Sequence, residues 1–564
     1  MKAIKKLKLF IISAAIALSA FLFTAFSDIE FFEISKNLEI FSNLFRELNI
    51  YYVDETKPGE LMKTAIDKML EQLDPYTNYI PESEMEDHRF MITGQYGGIG
   101  AIIKKKGEYV IIAEPYENSP AHKAGLIAGD ILMEINGKNA VGKTPDDVSK
   151  VLKGEPGTSV RVVIKRESEN KTIEKTIIRE EIKIKPVPYY GLAGPKTGYI
   201  RLSHFTERCS QDVKNAFTEL KDKHKITRLI LDLRGNPGGL LNEAVNIVNQ
   251  VTPKGQLIVE TKGRIKDWDQ THRGVYPPVD ADIPVVVIVD RGSASASEIV
   301  SGAIQDLDRG VIIGQRTYGK GLVQQTRQLG YNAQLKVTVA KYYVPSGRCI
   351  QAIDYSSRNE DGSVGRIHDS LLSPFKTKNG RTVYDGGGII PDIITEPRKF
   401  SNIASALFSK QHIFDYATRF TASRKEIGPP EEFRVTEEIW NDFVAFINDK
   451  DYDYMTKSEK LLTDFKDAAA SEKYLDSLSG ELETLNKKIV HNKKEDIIKY
   501  KEEIKQLLRE EIVLRYYFDR GRTQVALLAD STISRAVALL ADPKYYSAIL
   551  DGSVKKEIKE TVPK

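Results

Sequence analysis

A chain of 564 residues, at roughly 100–200 residues per domain, divides into about three to five domains, which excludes a single small module. Hydrophobic residues at 41% and charged residues at 29% give the balance of a folded protein, and 82 basic against 79 acidic side chains leave a net charge of +3, too little to mark nucleic acid as the partner. Two cysteines, Cys209 and Cys349, exclude a disulfide framework and a Cys-based zinc site but leave room for one lone bridge, and the eight histidines show no HExxH-like spacing that would favour metal catalysis.

At the N-terminus Lys2, Lys5, Lys6 and Lys8 precede an uncharged run from Leu9 to Phe26, and Ala25-Phe26-Ser27 offers small residues at the −3 and −1 positions of a cleavage site. Residues 1–27 are therefore expected to be a signal peptide or a retained anchor spanning residues 9–26, and either way the rest of the chain is exported. Ile34, Leu38, Phe41, Leu44, Phe45 and Leu48 recur at three- and four-residue steps, and Leu61 to Leu73 repeats the pattern, predicting two amphipathic helices that end at Leu73-Asp74-Pro75. From about Gly94 to Ile184 the texture changes to short apolar runs, Tyr109–Ala113, Ile131–Ile135 and Val160–Ile164, punctuated by glycine and asparagine turns, which predicts a small β-rich domain. Arg228–Leu233 and Ile283–Val289 are continuous apolar runs followed by glycine turns and helical patterns, as expected of strands buried on both faces of an α/β layer structure. After Pro397 the pattern is helical, broken at Gly428-Pro429-Pro430. Leu478, Leu482, Leu485 and Ile489 predict a helical hairpin folding back near His491-Asn492 onto Ile497, Tyr500, Ile504 and Leu508.

Chemistry concentrates where the run Ile283–Asp290 meets Gly292-Ser293-Ala294-Ser295-Ala296-Ser297-Glu298, which reads as strand, tight turn, helix. A serine at a helix start sits beside unpaired N–H groups and the positive end of the dipole, where an oxyanion is stabilised, although serine is equally a preferred cap. A serine nucleophile needs a base; no histidine lies in a triad-like motif, and the Gly-x-Ser-x-Gly elbow is absent. Lys320, in Gly314-Gln-Arg-Thr-Tyr-Gly-Lys-Gly321 behind an apolar run, is the alternative. To act near pH 7 its amine must lose some 4 kcal/mol of preference for the proton, which burial or a nearby cation supplies. Gly314-x4-Gly319-Lys320 has phosphate-loop spacing, but Gly321 stands where a magnesium-binding hydroxyl is required. A third turn, Leu231-Asp-Leu-Arg-Gly-Asn-Pro-Gly-Gly-Leu240, ends a buried strand with adjacent glycines able to aim N–H groups into one concavity.

Taken together these motifs resemble those of the C-terminal processing, or tail-specific, serine proteases. The likeness takes in Leu73-Asp-Pro-Tyr-Thr-Asn-Tyr79, Gly97-Gly-Ile-Gly100, Leu231–Gly239, Gly292–Glu298, Thr317-Tyr-Gly-Lys-Gly-Leu-Val-Gln324, Tyr342-Tyr-Val-Pro-Ser-Gly-Arg348 and Gly387-Gly-Ile-Ile-Pro-Asp392, in family order over roughly residues 35–397. The resemblance implies a nucleophile at Ser295, a general base at Lys320, and Gln324 orienting that lysine, on one face with it if a helical turn follows. It implies oxyanion donors at the N–H groups of Ala296 and of Gly239, with Gly238 second to Gly239. Ser293 and Ser297 are left to the turn and cap, and no metal or cofactor is required.

The β-rich segment resembles a PDZ domain, in which the N–H groups of Gly98, Ile99 and Gly100 capture a C-terminal carboxylate and the Thr144–Leu152 helix lines the groove with Val148 and Leu152. The fold class is then α/β multidomain, with a crotonase/Clp-like protease core, an inserted PDZ-like β domain and helical regions at both ends. The division runs 1–27 signal or anchor, 28–92 helical, 93–185 PDZ, 186–398 Ser/Lys protease core and 399–564 helical. The expected activity is a serine endopeptidase that cleaves proteins near their C-termini in the periplasm. Its partners are protein or peptide substrates, and the helical tail is a place for an adaptor or a second copy. An inactive PDZ scaffold and a crotonase-like acyl transferase are the competing readings; the first lacks a use for paired Ser295 and Lys320, and the second lacks a use for the PDZ segment.

Overall fold

The computed structural model describes residues 31–358, 364–489 and 493–554; the expected signal, 1–27, and the expected reversal at His491-Asn492 lie outside the described residues. Residues 31–51 form a helix that leaves Phe31, Leu38, Phe41 and Leu44 exposed. The next helix, Pro58–Glu71, opens on a proline whose missing N–H costs nothing at that position. It is followed by a turn in which the Asp74 carboxylate accepts the N–H groups of Tyr76 and Thr77, each at 2.8 Å, and the chain passes into the strand Asn78–Ile80.

The β-rich segment is a six-stranded antiparallel sheet in the order Ala101–Lys106, Tyr109–Pro115, Ile131–Ile135, Ser159–Arg166, Lys171–Ile178, with Lys138–Asn139 beside Ile131–Ile135. The helix Pro145–Leu152, capped reciprocally by Thr144 and Asp147, packs along Ala101–Lys106. A ribbon of Gln95–Gly98 against Glu180–Lys183 joins this unit to the rest.

The centre of the molecule is a six-stranded sheet ordered Tyr189–Gly194, Thr197–Arg201, Arg228–Asp232, Val285–Val289, Val311–Gly314, Ile393–Ile394, antiparallel at the first pair and parallel thereafter. Strand alternation splits its apolar runs between two cores. Val285, Val287 and Val289 face the helices Cys209–His224, Leu241–Asn249 and Ala296–Asp306. Val286 and Ile288 face Ile533, Ala536, Leu540, Tyr546 and Ile549 from the chain's last helices, Ser531–Ala541 and Pro543–Leu550. Burial on both faces, as the sequence suggests, is thus completed by the helical tail. Beside this sheet lies a second, five-stranded one in which Gln334–Tyr343 pairs with Asn78–Ile80, Leu257–Gly263 and Leu322–Gln328.

The tail differs from expectation in one pairing. Leu475–Ile489 packs on the preceding helix Lys457–Ser471, whereas Ile497, Ile504 and Leu508 join a core with Ile403, Phe420, Trp440 and Phe443. Gly428-Pro429-Pro430 separates Ser423, the end of one helix, from Glu437, the start of the next. Both cysteines are free thiols; Cys209 is buried in the central core.

Candidate active site

Strand Val285–Val289 delivers the chain to a tight turn closed by Asp290, whose carboxylate accepts the N–H groups of Gly235 and Gly292, each at 2.9 Å. Ser293 Oγ accepts the Asp290 N–H at 2.9 Å and donates to Leu233 O at 2.8 Å, while Ser297 Oγ donates to Asn236 O at 2.9 Å. Two of the three serines therefore stitch the turn to the Arg234–Gly239 loop. Ser295 is different: it caps the helix Ala296–Asp306 at φ 55° and ψ −113°, outside the favoured regions for a residue with a side chain. Such a conformation costs on the order of 1–3 kcal/mol and persists only where its surroundings fix it.

Glu298 does much of that fixing. Fully buried, its carboxylate accepts the N–H of Ser295 (2.8 Å), the N–H of Gly319 (2.7 Å), the N–H of Lys320 (2.8 Å) and the hydroxyl of Thr317 (2.6 Å). Burial still pushes its carboxyl up to about 7, against the pull of those four donors. From the other side the buried Tyr342 hydroxyl faces the carbonyl oxygens of both Ser295, at 3.1 Å, and Lys320. One acid and one phenol thus hold the backbones of residues 295 and 320 in register.

Lys320 is half-buried between Gly319 and Gly321. A Cβ on Gly319 would stand 2.2 Å from Ala352 Cβ, and Gly321 N–H donates to Gln351 Oε1 at 2.7 Å, so the flanking glycines let this loop lie against Gln351-Ala352. Burial, then the neighbouring Lys336 cation, lower the Lys320 pKa to about 8, opposed by Asp74 and Glu298. Its Nζ stands over the Tyr76 ring, 4.2 Å from the centroid. No hydrogen bond joins it to Ser295 Oγ or to Gln324 among the described residues; the two side chains instead share one cavity of about 700 Å³.

Gln324 corrects the sequence reading. It lies in the strand Leu322–Gln328, not a helical turn, at a bulge opposite Thr338, and its Nε2 donates to Thr338 Oγ1 at 3.2 Å rather than to Lys320. Thr338 N–H in turn donates to Thr77 Oγ1, which donates to Asp74 Oδ2 at 2.9 Å, linking Gln324 to the turn that carries Tyr76.

On the opposite wall, Gly238 presses on Ser295: a Cβ there would stand 2.8 Å from Ser295 Cβ. Its N–H is occupied by Asn236 Oδ1 at 2.9 Å. The N–H groups of Gly239 and Ala296 make no hydrogen bond within the described residues, and both residues adjoin Ser295. Arg234, at the loop's start, is gripped by Asp232 on the sheet and by Asp530, at 2.7 Å, from the cap of the helix Ser531–Ala541.

In the small β domain Ile99 and Gly100, just after Gly98, likewise keep N–H groups without partners in the described chain. Ile99, Val148 and Leu152 come together, and at 3%, 2% and 4% exposure they are packed into the domain's own core.

Sequence reasoning missed Glu298, Tyr342, Asn236 and the Asp74–Thr77 turn. Only Glu298 had a readable signal, the Ser-x-x-Glu spacing of a capping box. Its carboxylate also serves a loop about twenty residues on.

Comparison with known proteins gives the family. The description "Peptidase family S41" matches residues 196–356, "PDZ domain" matches 111–166, and "Probable PDZ-protease, C-terminal helical domain" matches 403–540. A carboxy-terminal-processing protease of Bartonella bacilliformis is 36% identical over 321 residues, covering 56% of this chain and 73% of that protein. A "Probable CtpA-like serine protease" of Staphylococcus aureus is 35% identical over 316 residues, covering 56% of this chain and 62% of the relative. Among solved structures, photosystem II D1 C-terminal processing protease aligns at 28% identity and a TM-score of 0.34, over 63% of this chain and 86% of that one. The matches define a serine-type peptidase carrying a PDZ domain and a C-terminal helical region. The chain belongs to the carboxy-terminal-processing protease family.

Proposed function

We propose that the protein is an endopeptidase working through Ser295 and Lys320, and that it captures client polypeptides by their C-termini before cutting them. The observation that carries this reading is the shared cavity in which a strained serine at a helix N-terminus meets a desolvated lysine, with the Glu298–Tyr342 clamp joining their backbones. The Lys320 side chain swings from Tyr76 to Ser295 and takes the Oγ proton, and Oγ attacks the peptide carbonyl. The N–H groups of Gly239 and Ala296 hold the oxyanion, the lysine ammonium protonates the leaving amine, and water, deprotonated by the same amine, releases the acyl-enzyme. With a pKa of about 8, roughly a tenth of Lys320 is already neutral at pH 7.

In this reading the PDZ groove opens to seat an apolar tail on Ile99, Val148 and Leu152 and its carboxylate on the N–H groups of Gly98, Ile99 and Gly100. Residues 1–27 deliver the protein to the periplasm, cleaved or tethered to the inner membrane by residues 9–26. The parallel sheet with its glycine-rich oxyanion loop suits a crotonase/Clp-like core. An inactive scaffold or an acyl transferase would not unite these parts.

The test is Lys320→Ala in the intact chain. Peptide cleavage falls by four orders of magnitude or so while the melting curve is kept. In the parent protein kcat/KM climbs through pH 7 to 8, because only the deprotonated amine is a base and only ionised Glu298 accepts all its donors. Cleavage that survives the substitution, or a fluorophosphonate label that bypasses Ser295, overturns the assignment.

A further inference from the structure

The lining of the catalytic cavity is one-sided in charge. Two lysines, Lys320 and Lys336, border it with three histidines, His88, His204 and His272, whose burial favours the neutral ring, and no aspartate or glutamate among the described residues does. The chain as a whole has nearly as many acids as bases, so this asymmetry is local. Lys336 lies on the strand Gln334–Tyr343, which also carries Tyr342. Its cross-strand neighbours in register, Asn78 and Thr326, are uncharged. Lys336 bears on the titration of Lys320, which Asp74 opposes, and of His88. Burial lowers its pKa, and among the described residues no ion pair holds it. A desolvated ammonium without a counter-ion, facing a cavity, gains most from an anion that arrives with the substrate.

We propose that Lys336, with His88 beside it, forms a carboxylate-binding subsite in the catalytic cleft, which seats a carboxylate of the polypeptide being cut. This rests on the cleft being the substrate site; it adds a specificity element there that is separate from the PDZ loop. The carboxylate has two possible sources, an acidic side chain near the scissile bond or the client's own C-terminus, and the experiment separates them.

Quenched fluorescent peptides are compared pairwise with glutamate or glutamine at each position flanking the cut, and each as free acid and as amide, using the full chain and the variants K336M and K336R. At one position glutamate raises kcat/KM about tenfold over glutamine in the parent protein. That ratio falls to about one in K336M and is largely kept in K336R. A side-chain source shows as a glutamate/glutamine ratio at one position. A terminal source shows as a free-acid/amide ratio that K336M lowers when the cut lies close to the end. The ratio is the readout, so any common change in rate through Lys320 cancels. If no position discriminates in the parent protein and the acid/amide ratio is the same in K336M, the subsite is refuted. If instead no peptide is cut and Ser295 takes no fluorophosphonate, it is the Ser–Lys reading that has failed.

Discussion

The cavity beside Ser295 and the Ile99-Gly100 loop of the PDZ domain both present backbone N–H groups without partners among the described residues, yet they are built in opposite ways. Around Ser295 the side chains that fix the geometry are polar and buried, with Glu298 accepting four donors and Tyr342 reaching two carbonyls, and the cavity beside them stands open. Around Ile99 the neighbours are apolar, with Val148 and Leu152 buried in the same cluster. Polar clamps hold one geometry because a partly broken set of buried hydrogen bonds is costly, whereas an apolar groove opens without leaving polar groups unpaired. The first arrangement suits chemistry, which tolerates little displacement; the second suits capture of varied tails.

If this contrast is right, damage to the clamp lowers kcat and damage to capture raises KM. The largest effect is expected from Glu298→Gln, which puts an amide donor among four donors. kcat should fall about 100- to 1000-fold, with a lowered melting temperature and little change in KM. An unchanged kcat would show that the strained serine needs no such tie. Next comes substrate rather than enzyme: amidating the C-terminus of a long peptide, whose end lies far from the cut, should lower kcat/KM about tenfold through KM alone. A drop in kcat instead would place the recognised end in the cleft. The smallest effect belongs to Tyr342→Phe, which removes one hydroxyl and keeps the ring. A hydrogen bond of about 1 kcal/mol corresponds to roughly fivefold in kcat.

How much of this the sequence discloses depends on how local each signal is. Ser295 and Lys320 are readable because each sits in a short motif whose glycines and apolar run describe its own surroundings. The run Ile283–Val289 announces burial on both faces, but nothing in it says that residues 531–550 supply the second cover, since an amphipathic helix does not name the surface it meets. The helical turn after Lys320 is absent for a related reason: four-residue spacing from Lys320 to Gln324 fits a helix, and only pairing with Gln334–Tyr343, a strand built from later residues, makes this stretch extended, with Gln324 still lining the same cavity. Tyr342 reaches the site from elsewhere in the chain, and the Asp74–Thr77 turn, although built locally, is joined to it through Thr338, a contact its own residues do not announce.

The ion pair between Arg234 and Asp530 spans 296 residues of chain. A polypeptide emerging from the ribosome amino end first therefore carries Ser295 and Lys320 long before it carries Asp530, the brace for the Arg234–Gly239 loop. That loop is braced only in a chain that is complete through the helix Ser531–Ala541, which packs with Pro543–Leu550 on the sheet face opposite the Ser295 helix.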